Sequence, residues 1–581
     1  MIDEYTAVWE ELTAPGAQFA MSEIEVRGVP VRVFDSAPGS MRFVWELAGF
    51  HADKDYLVYE DERYTYAESD RIIKSLAQYL VEERGVTPGD RVAVSMRNYP
   101  EWVFSYWAIV SIGAACVGMN AWWTSEEMKY GLVDSRPKVL IADDERIERV
   151  LPILDELRNG DGDTEGAPLF LVTTRYDGDL PDDAARWDDV IDAENAPATL
   201  PDVEIDPDDD ACIFYTSGTT GFPKGAQLTH RGSIHNLLDL VFMTTVASTA
   251  AARAAGESAP TPDPDAPVKQ NVFMAPTPLF HVTANNCLLH PATLTGSKLV
   301  LTYKWDAARA IELIEREGVT NFSGVPTMSR EMLMHPDWEK RDTSSLVGMG
   351  GGGAPVQPDL VAKIDKSLAG GAPSTGYGLT ETHGIVTANA GALYVAKPAS
   401  CGRVVPVLDA KLVDDTGAEV SGPGARGELC VRGSIVIKGY LNRPEATADA
   451  IRDGWFHTGD IAEIDEDGFV FIVDRAKDMV LRGGENVYCS EVEAAIYAHP
   501  DVAEAAVFGV PDDRLGEIVG VAIVRTPDGR IDEAGLTEFL SGSLSKFKIP
   551  ERVWFLDEPL PRNANGKFVK RELRESLIDS K

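Results

Sequence analysis

Short unbroken apolar runs alternate with longer amphipathic stretches through the first half of the chain. Arg91–Met96 (RVAVSM) reads as a buried strand and Trp102–Ile112 as a helix. A strand-like run ends near Val117, and Lys138–Ala142 (KVLIA) is the next strand. Strands that are apolar throughout and separated by helices predict a largely parallel sheet covered on both faces. Ala211–Tyr215 predicts a further strand, which opens straight into a loop of glycines and threonines. After about Pro406 the pattern changes to short strands and turns, as in LDAKLVDDTGAEV and GELCVRG, predicting a small β-rich subdomain over about 405–474. From Asp474 an α/β pattern restarts, with helices at Glu491–Ala498 and Glu533–Leu544 and strands at Ala505–Val510 and Val519–Val524. The predicted fold class is α/β. A large N-terminal domain of layered sheets (1–474, including the β-rich part) precedes a small α+β C-terminal domain (475–581). A chain of 581 residues is too long for one hydrophobic core, which fits that division. Ala247–Pro267 and Arg158–Pro168 are low in complexity and predict surface loops without chemistry.

Charge narrows the partners. The chain carries 93 acidic against 54 basic residues, a net charge of −39. Such a surface repels nucleic acid and anionic membranes, so neither is an expected partner, and anionic substrates must meet local positive sites. The acidity fits a salty cytosol as well as plain solubility. The six cysteines stand far apart with no C-x-x-C pair, arguing against a disulfide framework or a structural zinc site and for a reducing compartment. The N-terminus is acidic and has no basic, then apolar, leader pattern. No apolar run reaches the roughly 18–20 residues of a bilayer span, so no integral membrane segment is expected. The expected location is cytoplasmic.

The richest chemistry lies in Tyr215–Gly225 (YTSGTTGFPKG). Glycines let backbone N–H groups close on an anion, hydroxyls add donors, and Lys224 adds a point charge suited to phosphate. The stretch does not follow G-x-x-x-x-G-K-[ST], because Gly225 follows the lysine. Downstream, Gly351–Pro355 (GGGAP) offers bare backbone to a flat ligand. Thr375–Thr382 (TGYGLTET) holds an aromatic ring, a hydroxyl and a carboxylate in a Gly-bounded turn. Tyr377 suits a purine face, and Glu381 suits magnesium, a hard cation that prefers oxygen ligands. Gly454–Asp460 (GWFHTGD) ends in a carboxylate able to accept from both ribose hydroxyls. Asp474–Met479, Arg482–Val487 and Pro561–Lys567 follow, the last placing a lysine on a Gly/Asn-rich turn.

In this order TSGTTGFPKG, GYGLTET, GWFHTGD, DRAKDMVLRGGENV and PRNANGK closely resemble the motifs of the adenylate-forming (AMP-binding) enzymes, in particular the acyl-CoA synthetase and fatty-acid–CoA ligase type. The resemblance runs from roughly Asp90 to Arg574. It implies an ATP-dependent acyl-CoA synthetase: a carboxylate and ATP give an acyl-adenylate and pyrophosphate, and the acyl group then passes to CoA with release of AMP. ATP, Mg2+ and coenzyme A are the implied cofactors and co-substrates. By the same resemblance Thr216, Ser217, Gly218, Thr219, Thr220, Gly221 and Lys224 hold the β- and γ-phosphates. Gly351, Gly352, Gly353, Gly376, Tyr377 and Gly378 frame the adenine. Thr380 meets the α-phosphate, Glu381 carries the metal, and Asp460 and Arg475 bind the ribose. Lys567 reaches the reacting carboxylate and the α-phosphate, so Lys567, Glu381, Thr380 and Lys224 form the implied catalytic set. The C-terminal domain is implied to be mobile, hinged at Lys477, and to bring Gly483, Gly484 and Glu485 to a pantetheine tunnel. The acyl pocket is implied at His281, Val282, Val325, Gly353 and Ile385, with Trp122 and Trp123 either walling it or packing in the core. Its small apolar lining favours a medium- or long-chain fatty acid. An aromatic or branched acid, and a carrier protein in place of CoA, are the alternatives. The resemblance leaves open whether the chain is a homodimer.

Overall fold

The computed structural model describes residues 1–160, 165–216, 223–256, 269–354, 356–368, 371–483, 485–512, 514–564 and 566–578. The predicted strands at 91–95, 115–118 and 139–142 lie together in an eight-stranded sheet, paired parallel and continued by Phe170–Thr173 and Ala185–Arg186. Ala115–Gly118 and Val139–Ala142 are buried at every residue, because helices or a second sheet cover both faces. The helix Pro100–Ser111 is buried along its whole length, so it presents no polar face. Asp210–Thr216 joins this sheet beside Ala115–Gly118 and turns back antiparallel into Lys224–Thr229. The Gly/Thr stretch is thus flanked by two antiparallel strands, with residues 217–222 outside the described residues.

A 15-stranded sheet packs alongside. Val272–Ala275, Lys298–Leu301, Asn321–Gly324, Gly348–Gly352 and Ala372–Tyr377 are its parallel part. Beyond Ala372–Tyr377 the pairing becomes antiparallel, through Thr387–Ala390 and Gly402–Val404 to Phe469–Arg475, Trp455–Ile464, Arg426–Gly433 and Leu408–Val413. The β-rich stretch therefore continues the central sheet by hydrogen bonding. The last residues form a five-stranded sheet with its own apolar core, which includes Val480, Val492, Val507, Val521 and Leu536.

Two sequence expectations change. The helix begun at His230 runs to Ala254, so the Ala-rich start of the predicted insertion at 247 is helical, as alanine's high propensity favours. Residues 257–268 lie outside the described residues. This helix is long and apolar enough to cross a membrane, the one such helix among the described residues. It packs against the helix Ile2–Thr13 and buries His235, Asn236 and Asp239, which mark it as a core helix. Trp122 does not pack in the core: it is 52% exposed beneath the Arg97 guanidinium, whereas Trp123 is buried edge-on to Tyr215.

Candidate active site

Two adjacent strands supply a bed of bare backbone. Gly348–Gly352 and Ala372–Tyr377 run parallel, with Gly352 opposite Gly376. At Gly351 (φ 145°) a Cβ would lie 1.6 Å from the Gly324 carbonyl oxygen, and at Gly378 it would lie 2.0 Å from that of Gly384. Only glycine permits such approaches. Gly353 (φ 83°) faces Lys567, whose Cε would stand 3.4 Å from a Cβ there, with Val325 on the other side. Pro355 lies outside the described residues.

At the end of this bed the Tyr377 hydroxyl donates to Asp460 Oδ2 at 2.6 Å, and Arg475 Nε approaches Asp460 Oδ1 at 3.2 Å. Asp460 and Arg475 are opposite one another on paired strands, so the sheet register makes the ion pair. Burial, and then the Asp460 charge, push the Tyr377 phenol well above its ordinary range, keeping it a donor. The turn before Asp460 is braced. Thr458 Oγ1 donates to the Leu429 carbonyl and accepts from Asp460 N–H, while Gly459 N–H donates to Glu428 Oε1 at 2.9 Å.

Glu381 lies in the single helical turn Thr380–Thr382. Its Oε1 accepts from the Tyr440 hydroxyl at 2.8 Å, and its Oε2 has no partner among the described residues. One open carboxylate oxygen suits magnesium, which keeps most of its waters and takes one or two carboxylates beside substrate phosphates. Lys224 Nζ stands 4.8 Å above the Tyr440 ring, which brings the predicted phosphate lysine to the neighbour of the predicted metal carboxylate. His383 ties this turn to the strand Lys224–Thr229: its Nδ1–H donates to the Ile435 carbonyl at 2.7 Å and its Nε2 accepts from Thr229 N–H at 2.9 Å. Burial holds that imidazole down at about 4, so it is neutral. Thr216 closes its strand beside Lys224. Ser217, Gly218, Thr219, Thr220 and Gly221 lie outside the described residues.

Lys567 enters from the C-terminal loop, held by a tight turn in which Gly566 N–H bonds the Asn563 carbonyl and Asn563 N–H bonds that of Lys567. Its side chain is exposed to solvent while protein crowds around it, so it stands in a cavity open to solvent. Burial, followed by the Arg475 charge, lowers its ammonium to about 8, while Asp460 and Glu381 hold it up. His281 shares this cavity. Burial first, and then the Lys567 charge, lower its imidazole to about 3. The group that titrates near working pH is therefore Lys567, which is cationic below about 8. In the free enzyme kcat/KM for ATP is expected to fall as pH rises through about 8, with no limb from His281 between pH 5 and 7. A pH profile of pyrophosphate release at subsaturating ATP checks this.

Lys567, Gly353, Val325, His281, Glu381, Asp460, Arg475 and Tyr377 thus converge. The acyl-pocket residues predicted beside them are divided. Val282 and Ile385 are buried in two different apolar clusters. The hairpin bearing Gly483 (φ 60°) and Glu485 is held by Gly483 N–H to the Leu515 carbonyl, Leu481 N–H to Glu517 and Arg482 to Glu551, all within the C-terminal sheet. Gly484 lies outside the described residues. Lys477 occupies the turn after Phe469–Arg475, where Asp478 N–H bonds the Arg475 carbonyl. Sequence reasoning missed Glu428, Tyr440 and His383, which brace the turns; the strand-paired GELC and WFHTGD segments carried the only hint of the first.

The AMP-binding enzyme family model matches residues 44–441, and the model of the AMP-binding enzyme C-terminal domain matches 491–567. The chain belongs to the AMP-binding enzyme family. Its relatives place it among the AMP-forming acid–thiol ligases. It is 37% identical over 512 residues to a feruloyl-CoA synthase of an Amycolatopsis species, covering 88% of this chain and 93% of the relative. It is 34% identical to a long-chain-fatty-acid–CoA ligase of Escherichia coli O157:H7, covering 91% and 94%. Among solved structures, ATP-bound MatB from Rhodopseudomonas palustris superposes with a TM-score of 0.76 at 31% identity, covering 92% of this chain and 99% of that one.

Proposed function

We propose that the chain joins a carboxylic acid to ATP in this cavity, giving an acyl-adenylate, and then transfers the acyl group to coenzyme A. The observation that carries the reading is the meeting of Lys567, Glu381 and the Asp460–Arg475 pair around the glycine bed. An anionic carboxylate attacking a phosphate is opposed electrostatically, so catalysis must come from neutralisation and alignment. Asp460 and Tyr377 position the ribose, and Lys224 with the Gly/Thr loop holds the outer phosphates. Lys567 places a positive charge on the α-phosphate and the incoming carboxylate. Bound through Glu381, magnesium supplies charge neutralisation on the phosphates. No general base is needed, since the acid is already ionised at neutral pH.

For the acid, a small apolar lining by itself favours an alkyl chain. The polar His281 beside it, and the feruloyl-CoA synthase and 4-coumarate–CoA ligase among the relatives, favour an aryl acid with a hydroxyl or ether substituent. His281 Nε2, in the cavity with Lys567, is buried without a hydrogen-bond partner among the described residues. Cys287, half-buried, touches Gly384 and Asn236, and Asn236 Oδ1 accepts from Ile385 N–H. Unsatisfied polar atoms are costly against an alkyl chain and are satisfied by a polar ring substituent. Pyrophosphate release across matched acids tests this. A hydroxy- or methoxycinnamate is expected to exceed a long-chain fatty acid by about tenfold or more in kcat/KM, and the reverse order would return the reading to a fatty acid.

CoA transfer needs the C-terminal domain, 475–581, to swing about Lys477 so that Lys567 leaves and the Gly483–Glu485 hairpin arrives. Proline at 477 fixes φ and removes the N–H of one turn residue. Lys477→Pro is expected to keep a first turnover of pyrophosphate and lose thioester formation, read by quenched-flow detection of both products. Unchanged acyl-CoA turnover would remove the hinge from this position.

A further inference from the structure

Three metal-binding side chains meet on the outer part of the central sheet, away from the glycine bed. Cys430 lies opposite His457 on the paired strands Arg426–Gly433 and Trp455–Ile464. The pairing slips between Glu428 and Cys430, and this irregularity lets the Glu428 carboxylate reach the same imidazole. Glu428 Oε2 is 2.8 Å and Cys430 Sγ 3.3 Å from His457 Nδ1, and the three donor atoms all lie within 4.8 Å of one another. We propose that Glu428, Cys430 and His457 form a site for a divalent transition cation of the zinc class.

The donor set supports it. One oxygen, one nitrogen and one sulfur, at bond lengths of about 2.0–2.3 Å, are ligands that zinc accepts together with a water. A single imidazole nitrogen faces both a carboxylate and a thiol, so its one proton cannot serve both; a cation between them would. Besides that nitrogen, the thiol's hydrogen-bond partner among the described residues is the Glu428 carbonyl at 3.8 Å, a long and weak contact. Thiolate and carboxylate together balance a dication, with the Lys411 and Arg452 charges nearby but outside the donor set. The His457 and Glu428 side chains are 16% and 27% exposed, which leaves a side open for an ion and a water. The other Glu428 oxygen holds Gly459 N–H beside Asp460, so an occupied site would stiffen the turn that carries the proposed ribose carboxylate. C-x-x-C spacing could not have revealed it, because the ligands come from two strands.

Cobalt(II) titration of the full-length, chelator-treated chain tests the proposal. A thiolate-to-cobalt charge-transfer absorption is expected, saturating at a single equivalent and displaced by zinc. It should be absent in Cys430→Ser and need at least about tenfold more cobalt in His457→Ala. X-ray absorption of the zinc-loaded native chain is an independent readout that needs no variant. One sulfur with nitrogen and oxygen neighbours is expected. A shell without sulfur, no charge-transfer band in the native chain, or an unchanged band in Cys430→Ser would each overturn the site.

Discussion

Lys567→Ala is expected to lose about 10²–10³ of the adenylation rate while retaining thioester formation from supplied acyl-adenylate. The asymmetry follows from geometry. Lys567 crosses from the C-terminal loop to Gly353, among the charges of Arg475, Asp460 and Glu381, and in the proposed reaction its charge serves the carboxylate and the α-phosphate. Once the adenylate exists, that charge has no remaining role in a reaction at the acyl carbon. The cavity supplies a second readout. The Lys567 ammonium holds His281 down, so its removal should raise the His281 imidazole, visible by NMR of the free variant. Equal loss of both half-reactions would remove Lys567 from the adenylation step.

Asp460→Asn is expected to lower kcat/KM for ATP by about a hundredfold, because it breaks a charge pair in an enclosed site. Asp460 is 4% exposed, accepts from Tyr377 and faces Arg475. Its loss leaves the Arg475 charge, which already depresses Lys567, without its partner. The alkaline limb of the ATP profile should therefore move below its position in the native enzyme, since Asp460 holds the Lys567 ammonium up. Hundredfold loss with the limb unmoved would mean that Asp460 binds nucleotide but does not tune the lysine.

These two residues also show what a sequence reveals. GWFHTGD and PRNANGK named Asp460 and Lys567, because their residue types and order are specific. What no local pattern contained was their meeting, which depends on a sheet register at 460 and 475 and a loop arriving from another domain. The strands at 91–95, 115–118 and 139–142 were legible because burial on both faces makes them mostly apolar. The helix to Ala254 was misjudged past residue 247, since an alanine-rich segment reads equally as low complexity and as strong helix. Continuity of the β-rich stretch with the central sheet was invisible, because the Gly402–Val404 pairing spans more than sixty residues. The meeting of Cys287, Asn236 and Gly384 escaped too: Asn236 and Gly384 lie far apart in the chain and meet only through packing.

The central claim is tested most directly by following both half-reactions of the intact chain with ATP, magnesium and an aryl acid, before and after CoA is added. The account predicts acid-dependent pyrophosphate without free ADP, then AMP and acyl-CoA in equal amounts once CoA is present. ADP and phosphate as products, or pyrophosphate release that ignores the acid, would contradict it.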